Sequence, residues 1–136
     1  MARFIAFDYG TRRVGIAVTD SGAMVAAPEC TCSPQELPAV IKRLLDAEPC
    51  AGFVVGMPGL ILGTRTDSTN AIQSFVNQLQ KRHPEVPVKL VDEDDTSREA
   101  SMSMVQSGMR KSKRREKGQI DRIAATIILQ RFLDQR

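Results

Sequence analysis

Residues 1–27 hold three short apolar runs separated by turn residues. Arg3 to Asp8 reads as a buried strand that ends in a carboxylate, followed by the turn Tyr9-Gly10-Thr11. Val14 to Thr19 is a second apolar run. Asp20-Ser21-Gly22 is a turn signal, and Ala23 to Ala27 resumes a strand-like run, so an antiparallel meander is predicted. The apolar period then lengthens. Ser33-Pro34 supplies an N-cap and a first helical proline, and Leu37, Val40, Ile41, Leu44 and Leu45 follow at helical spacing until Pro49. Gly52 to Gly56 reads as a central strand, apolar on both faces. A loop rich in Gly and Pro leads to Ala71, Ile72, Phe75, Val76 and Leu79, a second helix ending before Pro84. Val86 to Val91 predicts a further strand. Thr96-Ser97-Arg98-Glu99 is a capping box for a helix to about Ser107, and Gln119 to about Asp134 is the last helix. The order β-β-β-α-β-α-β-α-α predicts one α/β domain over residues 1–136. Its five-stranded mixed sheet has three antiparallel strands, then parallel ones, flanked by helices.

Composition agrees with one domain: 136 residues, 42% of them hydrophobic, suffice for a single core. The net charge of +3 is unevenly spread. Arg110, Lys111, Lys113, Arg114, Arg115 and Lys117 stand together with one acid, Glu116, and the remaining chain carries 13 basic and 15 acidic residues. A uniformly basic chain is excluded; one basic element on a slightly acidic body faces a polyanion or solvent. Cys30, Cys32 and Cys50 are odd in number and lack C-x-x-C spacing, which argues against a disulfide framework or a structural zinc. A reducing cytoplasm is therefore the expected location. No apolar run approaches the ~18 residues of a membrane span, and the N-terminus lacks a signal-peptide pattern.

Three acids stand where acids are costly. Asp8 ends a buried strand, and Glu93 follows the strand that ends at Val91. On a wheel starting at Ile120, Asp121 falls at about 100°, between Ile128 at about 80° and Phe132 and Ala125 at about 120° and 140°. A carboxylate in an apolar arc must be paired, hydrogen-bonded, protonated or bound to metal. The sequence offers no obviously matched buried base. If Asp8, Glu93 and Asp121 converge, their all-oxygen set favours a hard ion, Mg²⁺ or Mn²⁺. Two such ions activate water and stabilise a leaving oxygen in phosphodiester cleavage. Each acid also has a structural reading: a turn residue, a solvated acid, a helix-dipole partner.

The stretches FDYGTRRVGIAVTD (7–20), FVVGMPG (53–59), LVDEDDTSREA (90–100) and DRIAATIILQRFL (121–133) together resemble the YqgF/RuvX family. These are Holliday-junction-resolvase-like proteins of the ribonuclease H-like superfamily. The resemblance covers nearly the whole chain. It implies a ribonuclease H-like fold and a metal-dependent nuclease with Asp8, Glu93 and Asp121 as its acidic triad. The family is linked to 5′ maturation of the small-subunit ribosomal RNA precursor, and Holliday-junction resolution is the older inference. The chain departs from the family pattern at Asp94, where Arg is usual, and at Leu62-Gly63, where Asp-Gly is usual.

A nuclease also needs phosphate contacts. The segment from Arg110 to Lys117 supplies charge and counterion release, and Thr11, Arg12 and Arg13 follow Asp8 closely. The alternative for the basic run is a solvated linker. Tyr9 is a stacking candidate or a packed tyrosine, and His83, before Pro84, is expected at the surface. Two other classes compete with a nuclease. One is a nucleic-acid-binding module without catalysis. The other is an ATPase of the actin and sugar-kinase type, suggested by Asp8-Tyr9-Gly10-Thr11 but requiring two such domains. Junction resolution would need a homodimer, whereas RNA trimming can proceed in a monomer.

Overall fold

The computed structural model describes residues 2–58, 67–92 and 117–136. Strands β1 (Arg3–Tyr9), β2 (Val14–Thr19) and β3 (Ala26–Cys32) precede α1 (Leu37–Ala47), β4 (Cys50–Met57), α2 (Asp67–Arg82), β5 (Val88–Asp92) and α3 (Lys117–Gln135). The sheet order is β3-β2-β1-β4-β5. The β1–β2 and β2–β3 pairs are antiparallel; β1–β4 and β4–β5 are parallel. The mixed sheet expected from the sequence is present. The predicted helix from Thr96 to Ser107 lies outside the described residues. Among the described residues, no helix is long and apolar enough to cross a membrane.

Strand alternation divides the interior in two. Ile5, Phe7, Val14, Ile16, Phe53 and Val55 face α1 and α2, meeting Leu37, Ile41, Leu44, Ile72, Phe75 and Leu79. Phe7 and Phe53 are fully buried with ring centroids 5.7 Å apart, and each burial is worth about 1.5–3 kcal/mol. The opposite face is built from smaller residues, Ala6, Ala17, Val54 and Val91, which pack against Ala125, Ile128 and Leu129 of α3. Small side chains let this helix lie close to the sheet, and that closeness positions the site described below.

Several boundaries differ from the sequence reading: β4 and α3 are longer than expected, β5 begins at Val88 rather than Val86, and two shifts have a clear local cause. The third strand begins at Ala26, not Ala23, and extends to Cys32. The Asp20 carboxylate accepts hydrogen bonds from the Met24 and Val25 N–H groups at 2.8 and 3.0 Å, and the Ala23 N–H donates to the Asp20 carbonyl at 2.9 Å. Those backbone donors are used within the turn, where Ala23 adopts φ 54°. The strand continues through Pro28 and Thr31 because β3 is an edge, where a proline costs no ladder bond on the solvent side. Likewise, α1 begins at Leu37 rather than beside Ser33. Ser33 and Glu36 do form a reciprocal capping box, with Ser33 N–H to Glu36 Oε1 at 3.0 Å and Glu36 N–H to Ser33 Oγ at 3.2 Å. The box closes a tight turn ahead of the α-helical ladder, so Pro38 rather than Pro34 sits in the first turn of α1.

The Asp20 turn makes stability depend on pH. Hydrogen bonds from Val25 and Met24 hold its carboxyl below the usual carboxylate range. The unfolded chain therefore takes up the proton first. The stabilisation is complete above the unfolded-state pKa and is lost as pH falls through the lower folded-state value. Urea midpoints followed from about pH 7 to pH 2 are expected to fall less steeply for Asp20→Asn than for the native chain, because the amide does not titrate.

Candidate active site

Asp8 lies near the end of β1, on the same side as Phe4 and Ala6, whereas Ile5, Phe7 and Tyr9 point to the α1–α2 side. Its cross-strand partner is Gly15 of β2. A Cβ built on Gly15 would lie 2.0 Å from the Asp121 carbonyl oxygen. The first turns of α3 thus rest directly on the Gly15 backbone, and Asp121 stands over β2 on the face that Asp8 shares. Further along α3, Ala125, Ile128 and Phe132 of the apolar arc read from the wheel pack on the sheet, together with Leu129. Two of the three expected acids are brought onto one face from opposite ends of the chain.

Asp121 does have a matched base. Arg13 donates from Nε to Asp121 Oδ2 at 2.7 Å, with the carboxylate side chain 18% exposed and the arginine 41%. The sequence reading found no obviously matched buried base; the partner is a part-exposed arginine that it had placed among the phosphate contacts. The pairing follows from the β1–β2 turn, closed by a hydrogen bond from the Gly10 N–H to the Arg13 carbonyl at 3.0 Å. A Cβ at Gly10 would lie 2.7 Å from that oxygen, so glycine permits the closure. Arg13 is two residues before Gly15 and therefore shares its face, under Asp121.

Thr11 and Arg12 are exposed on the same turn. Glu93, Arg110, Lys111, Lys113, Arg114 and Arg115 lie outside the described residues. So does the side chain of Lys117, whose backbone opens α3. Tyr9 is a packed tyrosine, stacked on Phe75 with centroids 4.5 Å apart on the side away from Asp8. His83 is half-buried, its ring edge-on to Phe53 with centroids 5.8 Å apart, and not the surface residue expected. The apolar ring beneath it on β4 explains the difference. Two anchors were missed. Thr31 Oγ1 donates to the Gly118 carbonyl at 2.6 Å, and Arg131 Nη1 donates to the Asp92 carbonyl at 2.8 Å. They tie α3 to both edges of the sheet. Nothing in the local sequence pattern distinguishes either residue from an ordinary surface polar group.

The donors suit a hard cation. Asp8 and Asp121 offer oxygen only, and a guanidinium already stands at Asp121 Oδ2. The cysteines are free, and burial pushes their thiols up, Cys32 to about 11, which leaves no ready thiolate ligand. Among the described residues no group of three His, Cys, Asp or Glu side chains forms a metal site. The third expected acid, Glu93, is not among them.

Similar proteins share this architecture. The RuvX family, described as Holliday junction resolvase, matches residues 2–135. A protein of Christiangramia forsetii named "Putative pre-16S rRNA nuclease" is 41% identical over 133 residues, 98% of either chain. One of the same name from Bacteroides thetaiotaomicron is 38% identical over 136 residues, 100% of this chain and 99% of its own. Among solved structures, T. thermophilus RuvC in complex with Holliday junction substrate aligns with a TM-score of 0.57 at 15% identity, covering 99% of this chain and 96% of that one. A second, Thermus thermophilus RuvC, has a TM-score of 0.54 and covers 98% and 95%. The structural likeness identifies the fold as ribonuclease H-like, and the match from end to end places this chain in the RuvX family.

Proposed function

We propose that this protein is a divalent-metal-dependent nuclease that trims the 5′ end of the small-subunit ribosomal RNA precursor in the cytoplasm. The observation that carries the reading is the placement of Asp8 and Asp121 on one face, joined through Gly15. The names of the whole-length relatives supply the substrate. Asp8, Glu93 and Asp121 would hold Mg²⁺ or Mn²⁺. Bound there, the ions supply positive charge to activate water and stabilise the leaving oxygen. The protein's own part is positional. The sheet fixes Asp8, the seating of α3 fixes Asp121, and Thr11, Arg12 and Arg13 on the adjacent turn hold the phosphate backbone near them.

The deciding experiment offers a 5′-extended precursor fragment and a four-way DNA junction to the enzyme with Mg²⁺ or Mn²⁺. Cleavage of the RNA at its mature 5′ end, with the junction uncut, is the expected outcome. Paired symmetrical cuts in the junction with intact RNA would replace this reading by branched-DNA resolution and would require a homodimer. Binding without cleavage under every condition would leave a non-catalytic module.

The basic segment is expected to act by counterion release. The double variant Lys113→Ala with Arg114→Ala should weaken binding of every structured RNA similarly. It should also reduce the slope of log affinity against log salt by about 1 to 2, measured by fluorescence anisotropy. An unchanged slope would make the segment a solvated linker.

A further inference from the structure

We propose that Arg13 is a metal-displaced arginine: it neutralises Asp121 before metal binds, and it is released toward the substrate phosphate when metal takes its place. The inference rests on the metal-site reading above and adds a coupling that this reading does not contain.

The geometry has three parts. Arg13 Nε and Asp121 Oδ2 are 2.7 Å apart, a charge-assisted hydrogen bond between residues distant in sequence. The Asp121 backbone is held by its seat on Gly15. Arg13, in contrast, is 41% exposed and lies at the end of a four-residue turn that also presents Thr11 and Arg12 to solvent. The mobile member of the pair is therefore the cation.

A divalent ion held by the Asp121 carboxylate would repel the guanidinium that stands at Oδ2. The two cations would then compete for one carboxylate. Displacement costs little, because a half-exposed ion pair is worth about 1 kcal/mol or less, or roughly fivefold in affinity. The released side chain keeps its planar fork of donors, which matches two phosphate oxygens, and it stays tethered to β2 beside Asp8. Metal loading and phosphate capture are then two halves of one exchange. Before loading, the arginine supplies the charge that balances Asp121.

The test measures Mn²⁺ binding to the full chain without nucleic acid, by calorimetry and by the loss of the free-ion electron paramagnetic resonance signal. Arg13→Gln is expected to bind Mn²⁺ roughly fivefold more tightly than the native protein. Arg13→Lys, which keeps the charge but loses the fork, should stay near the native value. A second readout uses a short non-cleavable phosphorothioate RNA. Mn²⁺ should strengthen its binding to the native chain, and Arg13→Gln should lose most of that gain. Circular dichroism and melting curves of both variants establish that the fold is retained. Unchanged or weaker Mn²⁺ affinity in Arg13→Gln, with native binding intact, overturns the exchange but leaves the metal site standing. Absence of Mn²⁺ binding to the native chain, matched by Asp121→Asn, overturns the exchange together with the metal-site reading.

Discussion

Replacing Asp8 with Asn is expected to lower phosphodiester cleavage about a thousandfold while leaving the fold unchanged. The amide has nearly the size of the carboxylate, so the end of β1 and its pairing with Gly15 should persist. What is lost is one unit of negative charge and one of the carboxylate oxygens that would hold metal. Metal stabilisation of a phosphodiester transition state is worth several kcal/mol, and about 1.4 kcal/mol is a factor of ten in rate. Asp121→Asn should lose a comparable amount and should also break the ion pair with Arg13. Single-turnover rates at saturating Mn²⁺, with melting temperatures on the same samples, measure both effects. Undiminished cleavage by Asp8→Asn would remove the acidic face from the mechanism.

The largest effect on stability is expected from Gly15→Ala. The added methyl would lie 2.0 Å from a backbone carbonyl of α3, and no side-chain rearrangement relieves a clash with backbone. The helix has to lift from the sheet, opening the contact of Ala6, Ala17, Val54 and Val91 with Ala125, Ile128 and Leu129. Overpacking of this kind costs about 3 kcal/mol, with more where backbone must move. Gly118→Ala is the control. There the nearest atoms to the new methyl are Thr31 side-chain atoms at 3.4 Å and beyond, and a helical alanine in place of glycine gains up to about 0.5–1 kcal/mol. Urea denaturation should show opposite signs for the two variants. Cleavage should be lost in Gly15→Ala even below its melting temperature, because Asp121 rides on the displaced turn.

The strands and helices were legible in the sequence where each element buries one periodic set of apolar side chains. The stripe of Leu37, Ile41 and Leu44 is buried as its spacing predicts, and so is the run Phe53 to Val55. At β3, the boundary moved because hydrogen bonds rather than hydrophobicity set it. Asp20 draws the backbone of Met24 and Val25 into a turn, and edge pairing with β2 carries β3 through Pro28 and Thr31. The wheel position of Asp121 was legible for the same reason as the stripe on α1. A helix that packs along its length must carry every residue on that arc toward the sheet.

The sequence by itself determined the mixed α/β architecture, the acids at Asp8 and Asp121, and the concentration of positive charge between Arg110 and Lys117. Those follow from local period, from residue chemistry and from counting. Only the tertiary structure decided that Asp121 meets Arg13, that Gly15 is the seat of α3, and that Thr31 and Arg131 fasten this helix to opposite edges of the sheet. Such contacts join residues far apart in the chain. Their partners are chosen by strand register and by how closely a helix can approach a sheet, and neither quantity is written in any local pattern of polar and apolar residues.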